Sequence, residues 1–294
     1  PPLPPRNRSA YPSHSARFSP LLREPYGKGK AKGLYPLRHR DRSRKRLYPR
    51  GRGTAWHPLL LAPQHASLRN GCDRCPCPGM APLTLLHGFL GSPSDWDTVR
   101  LYLRDYETKA PPLDAPLTQP TALVGYSMGG RVALYRALQA PHLVTHLIIL
   151  SSHPGLESEE ERAKRRLSDQ MWIDYARNAG VEAFLQKWYS QPLFASLDYS
   201  SILKRRATLS VETIEEQLTR YSSGVMPPLW DEMRNCSLPI TFLIGELDRA
   251  YLEKRSRLEE IGSVERVPGV GHAMHLENPQ KTARVIADVL AIHR

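Results

Sequence analysis

Cysteine is scarce in this 294-residue chain. Three of its four cysteines lie together at positions 72, 75 and 77, and Cys236 is the only one further along. So few cysteines exclude a disulfide framework and are typical of a reducing compartment. The three clustered thiols could ligate zinc, but no second Cys or His pair follows at a finger-like spacing. We therefore favour incidental thiols over a metal site.

Long hydrophobic runs are absent as well. No stretch of 18 apolar residues occurs, and no signal-peptide core is present. Motifs for nucleotides, flavins and metals are also lacking. We therefore expect a soluble protein, located in the cytoplasm, without a cofactor and without a membrane partner.

Acidic residues are rare in the first 79 positions. This segment holds 17 Lys and Arg against 3 Asp and Glu, whereas the remainder holds 24 against 26. It also has 13 of the 27 prolines and no sustained apolar period. We expect residues 1–79 to be a disordered basic tail and residues 80–294 to be the folded domain. No aromatic-interleaved RNA motif accompanies the tail, so no nucleic-acid partner is expected.

The folded part alternates short apolar runs with helical patterns. Continuous apolar runs predict strands that are covered on both faces, as in a parallel sheet. The predicted strands are residues 83–86, 121–125, 143–150, 238–244 and 263–267, and clear helices are predicted at 130–139 and 279–292. This order indicates an α/β fold. Amphipathic helical sequence interrupts the pattern, so we predict a helical cap at about 154–232.

The motif that carries most chemical information is Gly-Tyr-Ser-Met-Gly at residues 125–129. It follows an apolar strand and precedes a helix, which is the setting of a nucleophile on a sharp strand-to-helix turn. Ser127 is therefore the candidate nucleophile or base. The backbone N–H groups of Phe89, in the loop after the first strand, and of Met128 are the candidate oxyanion-hole donors.

A serine needs a histidine to take its proton and an acid to orient that histidine. In this fold the acid and then the histidine follow the serine along the chain. Asp248 follows the fourth predicted strand and His272 follows the fifth, so we predict a Ser127–Asp248–His272 triad. Glu246 and His275 are the alternatives at these two positions. His87 is interpreted as structural.

Several motifs together resemble the lyase family of menaquinone biosynthesis known as MenH. The matching segments are Leu-His-Gly-Phe-Leu-Gly-Ser at 86–92, Val-Gly-Tyr-Ser-Met-Gly-Gly-Arg at 124–131, His-Pro-Gly-Leu at 153–156, Trp-Tyr-Ser-Gln-Pro-Leu-Phe at 188–194 and Gly-His-Ala-Met-His-Leu-Glu-Asn-Pro at 271–279. The resemblance covers nearly all of residues 80–294. It implies an α/β-hydrolase fold with a helical cap.

The resemblance also implies a reaction and a substrate. The family eliminates pyruvate from 2-succinyl-5-enolpyruvyl-6-hydroxy-3-cyclohexene-1-carboxylate and forms 2-succinyl-6-hydroxy-2,4-cyclohexadiene-1-carboxylate. Matching motif positions imply that Arg131, Arg165 and Arg206 bind this small-molecule polycarboxylate, with Arg205 as the alternative to Arg206. Tyr126 and Trp188 would line the pocket. The alternative function is a serine esterase or thioesterase that uses the same triad.

The chain departs from the family in one interval. Only 40 residues separate His87 from Ser127, where the family places a further strand, an Asp-Leu-Pro-Gly-His-Gly turn and a helix. We therefore expect one strand–helix unit to be lost or much reduced. The sequence makes no prediction of the oligomeric state.

Overall fold

The fold is built on one parallel sheet of six strands. A computed structural model describes residues 81–292, so the predicted tail and the three clustered cysteines lie outside the described residues. The strands are β1 (Leu83–Leu86), β2 (Thr108–Lys109), β3 (Thr121–Tyr126), β4 (Val144–Leu150), β5 (Ile240–Gly245) and β6 (Ser263–Val267). Their order is β2-β1-β3-β4-β5-β6, and every pairing is parallel. The five predicted strands and the α/β class are confirmed.

Ten α-helices accompany the sheet in the described part of the chain. They are α1 (Asp97–Tyr102), α2 (Met128–Gln139), α3 (Glu159–Tyr189), α4 (Ser200–Arg206), α5 (Val211–Tyr221), α6 (Trp230–Arg234), α7 (Arg249–Leu252), α8 (Arg255–Leu258), α9 (Met274–Glu277) and α10 (Pro279–Ile292). Short 3₁₀ helices cover Pro93–Trp96, Pro141–Leu143 and Pro192–Phe194. None of the helices between residues 81 and 292 is long and apolar enough to cross a membrane.

The apolar runs form strands because both faces of the sheet are covered. Alternate residues point to opposite faces, so Leu147 and Ile149 enter the core with α2, whereas Ile148 and Leu150 enter the core with α10. Every residue of β1, β3 and β5 is buried. This sheet is a rigid base whose carboxyl edge carries the loops after β1, β3, β5 and β6.

The interval from His87 to Ser127 retains a strand but has lost a helix. β2 is only two residues long and lies at the edge of the sheet, and none of the described residues 110–120 is helical. These eleven residues must pass β1 to reach β3, and fully extended they span about 36 Å. A helical crossover between parallel strands needs about a dozen residues or more, so an extended connection replaces the helix.

The segment between β4 and β5 contains helices and no strand. α3 begins at the N-cap Ser158, whose hydroxyl accepts the Glu161 N–H, and it bends at Gly180, where φ is +80°. Helices α3 to α6 and the 3₁₀ turn at Pro192–Phe194 make up this cap segment. The cap segment therefore places a second set of side chains over the loops that follow the sheet strands.

Candidate active site

Ser127 lies on a strained turn between β3 and α2. Its φ of +50° and ψ of −112° are unusual for a residue with a side chain, and its N–H donates to the Leu150 carbonyl at 2.9 Å. A Cβ at Gly125 would come within 2.5 Å of the Gly129 carbonyl, and one at Gly129 within 2.3 Å of the His87 carbonyl. Glycine is therefore required at both positions because neighbouring backbone atoms leave no room for a side chain, as in a nucleophile elbow.

The three predicted triad residues form a chain of two hydrogen-bond contacts, with His272 in the middle. His272 Nε2 is 3.3 Å from the Ser127 hydroxyl, and His272 Nδ1 is 2.8 Å from Asp248 Oδ2. The side chains of His272 and Asp248 are 2% and 0% exposed. A carboxylate that accepts a hydrogen bond from Nδ1–H leaves Nε2 unprotonated and free to take a proton from Ser127. The arrangement can therefore make the Ser127 oxygen a base or a nucleophile.

The alternative acid Glu246 and the histidine His87 have other partners. Glu246 accepts the Gly269 N–H at 2.9 Å and pairs with Arg266. His87 donates through Nδ1 to the carbonyl of the following glycine at 2.9 Å. Neither side chain takes part in the contacts around Ser127, so this geometry favours Asp248 as the acid and leaves His87 a structural role.

His275 is buried between two aromatic rings. Its ring centroid lies 4.7 Å from Trp96 and 4.3 Å from Tyr126, and neither ring nitrogen has a hydrogen-bond partner among residues 81–292. Burial, aided by the Arg206 charge, lowers the pKa of His275 to about 3. His275 is therefore neutral at physiological pH and does not reach Ser127 as His272 does.

Glu277 fixes the loop that carries His272, and sequence reasoning gave it no role. Its carboxylate accepts the Gly271 N–H at 2.6 Å and the Ala273 N–H at 3.1 Å. These two groups flank His272 in the chain, so Glu277 sets the path of the backbone at the histidine. The only signal in the sequence was its place in the motif at 271–279.

A cavity of about 210 Å³ lies between the elbow and the cap segment. It brings together all the predicted site residues except Asp248, which lies behind His272. Its walls are Phe89, Asp95, Tyr126, Ser127, Met128, Arg131, Arg165, Ser168, Asp169, Trp172, Trp188, Tyr189, Gln191, Leu193, Phe194, Arg206, Tyr251, His272, Ala273 and Leu276. The Trp188 ring lies 4.8 Å from Phe89 and 5.0 Å from Trp172, so aromatic rings cover the cap side.

The predicted oxyanion-hole residues both line this cavity. Phe89 lies in the loop after β1, and Met128 is the first residue of α2. Leu90 has a φ of +61°, and its N–H donates to the Gln217 side chain of α5 at 2.9 Å. A helix of the cap segment thus fixes the Phe89 loop. The use of these two backbone N–H groups in catalysis stays a prediction.

Arg131 is the arginine of the cavity that has no carboxylate partner among the described residues. It is 6% exposed and donates through Nη2 to the Tyr221 carbonyl at 2.9 Å. Burial lowers the pKa of Arg131 to about 10, so the side chain remains charged at neutral pH. An uncompensated cation one helical turn from Ser127 favours an anionic ligand group there.

Arg165 and Arg206 each pair with a buried aspartate. Arg165 Nε donates to Asp169 Oδ1 at 2.8 Å, and Arg206 Nη2 donates to Asp95 Oδ2 at 2.6 Å. Arg206 also donates through Nε to the Tyr189 hydroxyl at 2.8 Å. These pairs hold both guanidinium groups in fixed positions in the wall.

Arg206 rather than Arg205 faces the cavity. Arg206 is 5% exposed and lines the wall, whereas the Arg205 side chain is 45% exposed and lies 3.8 Å from the other oxygen of Asp95. The sequence could not separate the two neighbours because both follow the same helical pattern. It gave no role to Asp95, whose partner Arg206 is contributed by the cap segment, and none to Asp169, which pairs with Arg165 four residues earlier on α3.

The chain is similar to several known proteins. The model of the alpha/beta hydrolase family matches residues 47–285. A 2-succinyl-6-hydroxy-2,4-cyclohexadiene-1-carboxylate synthase from Salmonella typhimurium is 32% identical over 244 residues, with 73% of this chain and 96% of that protein covered. A synthase of the same name from Enterobacter sp. is 30% identical, covering 76% of this chain and 96% of that protein.

The chain belongs to the 2-succinyl-6-hydroxy-2,4-cyclohexadiene-1-carboxylate synthase family, within the α/β hydrolases. Among solved structures, MenH from S. aureus has a TM-score of 0.64 and 26% identity, with 72% of this chain and 94% of that chain covered. A carboxylesterase from Nitrososphaera gargenis reaches a TM-score of 0.59 at 17% identity, covering 72% of this chain and 90% of that one. The esterase likeness shows the fold alone.

The Salmonella synthase contains positions that this chain lacks. The Salmonella alignment spans 244 residues, but 73% of 294 residues is only about 215. Roughly 30 aligned positions of that synthase therefore have no counterpart in this chain. A strand with its crossover helix needs a segment of this size, which fits the two-residue β2 and the missing helix.

Proposed function

We propose that this chain eliminates pyruvate from 2-succinyl-5-enolpyruvyl-6-hydroxy-3-cyclohexene-1-carboxylate to give 2-succinyl-6-hydroxy-2,4-cyclohexadiene-1-carboxylate. The observation that carries the proposal is one cavity that combines Ser127 and His272 with three arginines. The product name is that of the synthases to which the chain is similar. The step belongs to the biosynthesis of menaquinone or phylloquinone.

The triad would act as a relay for one proton. His272 takes the proton of the Ser127 hydroxyl, and the Ser127 oxygen then removes a proton from a ring carbon of the substrate. The electrons of that C–H bond form one ring double bond, the double bond already in the ring shifts to the carbon that carries the enolpyruvyl group, and the bond from that carbon to the enolpyruvyl oxygen breaks. The released enolpyruvate takes the proton held by His272 and becomes pyruvate, so Ser127 and His272 are both restored. Asp248 stabilises the imidazolium meanwhile.

The arginines explain how a substrate with three carboxylates could enter a partly buried cavity. Taking carboxylates out of water is costly unless they are paired. Arg131, Arg165 and Arg206 supply planar donors suited to carboxylates, and Asp95 and Asp169 hold two of them in place. An esterase for apolar acyl groups would gain nothing from three cations in this wall.

The test separates elimination from hydrolysis. The purified chain is mixed with the enolpyruvyl substrate, generated enzymatically, and pyruvate is followed through lactate dehydrogenase, with p-nitrophenyl acetate hydrolysis measured in parallel. We expect fast pyruvate release and a new conjugated-diene absorbance. Efficient ester cleavage by a folded protein that releases no pyruvate would favour the esterase or thioesterase.

A cytoplasmic location, or a plastid one in a eukaryote, belongs to the same proposal. The relatives are bacterial proteins, and Cys236 is a free thiol in the described part of the chain, as suits a reducing compartment. The partner we propose is the small polycarboxylate alone. Cell fractionation with an antibody tests the location, and recovery in a membrane or secreted fraction would contradict it.

A further inference from the structure

Tyr251 lines the cavity but is not part of the triad. It lies on α7, three residues after Asp248, and its ring lies 5.0 Å from the His272 ring and 5.9 Å from the His153 ring. Ser127 and Arg131 line the same cavity. The Tyr251 ring therefore packs near two imidazole rings and forms part of the cavity wall.

The hydroxyl of Tyr251 is available to a ligand. It makes no hydrogen bond with any residue between 81 and 292, in contrast to the Tyr189 hydroxyl, which accepts from Arg206. Burial raises the pKa of Tyr251, although the Arg131 charge acts in the opposite direction. The phenol is therefore a protonated O–H donor at neutral pH.

Among the nearby cations, Arg131 has the largest electrostatic effect on the Tyr251 hydroxyl. Of the nearby charges, that of Arg131 lowers the pKa of Tyr251 most. One guanidinium nitrogen of Arg131 is used on the Tyr221 carbonyl, and its other N–H groups have no acceptor among the described residues. An arginine N–H and a phenol O–H can each donate to one oxygen of a single carboxylate.

We propose that Tyr251 is a substrate-binding residue, and that it and Arg131 together hold one carboxylate beside Ser127. The identity of the substrate rests on the proposed function, but the two-donor carboxylate site does not. Because a hydrogen bond to a charged group contributes about 1.5–3 kcal/mol, loss of the hydroxyl weakens carboxylate binding about tenfold or more.

The test uses the Tyr251→Phe variant of the full chain, which keeps the ring and removes only the hydroxyl. Citrate, a small tricarboxylate, is titrated while the fluorescence of Trp172 and Trp188 in the cavity wall is followed. We expect the citrate Kd to rise about tenfold, and the KM for pyruvate release to rise similarly with kcat changed less than about threefold. Tyr102→Phe, at a tyrosine that is 51% exposed, is the matched control and leaves both constants unchanged.

A double-mutant cycle tests whether the two residues share one carboxylate. In an Arg131→Met background, Tyr251→Phe weakens citrate binding by much less than it does in the wild type, because the shared carboxylate has already lost its main donor. Equal effects in both backgrounds would overturn the shared site. An unchanged Kd and KM in Tyr251→Phe, or a wild type that binds no citrate, would overturn the role of Tyr251.

The same measurements separate this inference from the proposed function. If the wild type binds citrate through Tyr251 but releases no pyruvate, the lyase activity is contradicted and the carboxylate site is supported. If the wild type releases pyruvate and Tyr251→Phe has the same citrate Kd and the same KM, the lyase activity is supported and the carboxylate site is contradicted. Thermal unfolding of each variant shows that the comparison is made between folded proteins.

Discussion

At the residue scale, Glu277 controls where the catalytic histidine lies. In Glu277→Gln, an NH₂ group replaces one of the oxygens that accept the Gly271 and Ala273 N–H groups, so a donor then faces a donor. We expect kcat for pyruvate release to fall about tenfold with KM within about twofold. Glu253→Gln, at an exposed glutamate, is the control. Wild-type kcat in Glu277→Gln would contradict this positioning role.

Asp95 is a second residue with a specific role, because its pair with Arg206 contributes to the stability of the fold. It is buried against Arg206, so Asp95→Asn leaves a buried arginine without its counter-charge. We expect a loss of about 3 kcal/mol in the free energy of unfolding, measured with urea. Asp97→Asn removes a carboxylate that is 63% exposed from its pair with Arg100 and changes stability by less than about 0.5 kcal/mol. Equal effects of the two substitutions would be inconsistent with the buried pair.

The sequence predicted the residues that local patterns define. Ser127, Asp248 and His272 each follow a strand, and the carboxyl ends of parallel strands meet at one edge, so their order was enough to propose the triad. Asp95 and Arg206 are 111 positions apart, and only the placement of α4 over the 3₁₀ turn at Pro93–Trp96 joins them. Such pairs leave no spacing signal in a single sequence.

At the scale of elements, the apolar runs predicted the strands but not every boundary. β5 begins at Ile240 rather than at Leu238, because Pro239 lacks an N–H and suits the start of a strand. β2 was missed because its two residues, Thr108 and Lys109, carry no apolar pattern. β2 pairs with β1 at the edge of the sheet, and this long-range pairing leaves no pattern in the local sequence.

Arg136 on α2 holds the extended connection that replaces the missing helix. It donates to the carbonyls of Leu113 and Ala115, and burial lowers its pKa. We expect Arg136→Met to release residues 110–120, so that limited proteolysis cuts there at least several times faster than in the wild type. Arg104→Met, at an exposed arginine, serves as the control. Identical cleavage rates in all three proteins would show that Arg136 does not hold this segment.

At the scale of the whole molecule, two buried histidines make stability depend on pH. Burial is the main cause that lowers the pKa values of His153 and His275 from 6.5 to about 3. Between these values the unfolded chain binds protons that the folded chain does not, so stability falls as the pH falls. Each histidine contributes up to about 1.4 kcal/mol per pH unit in this window.

Urea unfolding at pH 7, 6, 5 and 4 measures this dependence. We expect the free energy of unfolding to be nearly constant above pH 7 and to decline progressively below about pH 6.5, where the unfolded histidines become protonated. His142→Asn, at an exposed histidine, leaves the slope unchanged, whereas His275→Asn reduces it. A stability independent of pH between 6.5 and 4 would contradict neutral buried histidines.

The proposed elimination uses Ser127, activated by His272, as its base. The most direct measurement compares kcat/KM for pyruvate release in the wild type, in Ser127→Ala and in Ser256→Ala, a substitution at an exposed serine. We predict a loss of about 10³-fold in Ser127→Ala and no change in Ser256→Ala. Release by Ser127→Ala within about tenfold of the wild-type value would contradict the claim, because the ring proton would then leave without Ser127.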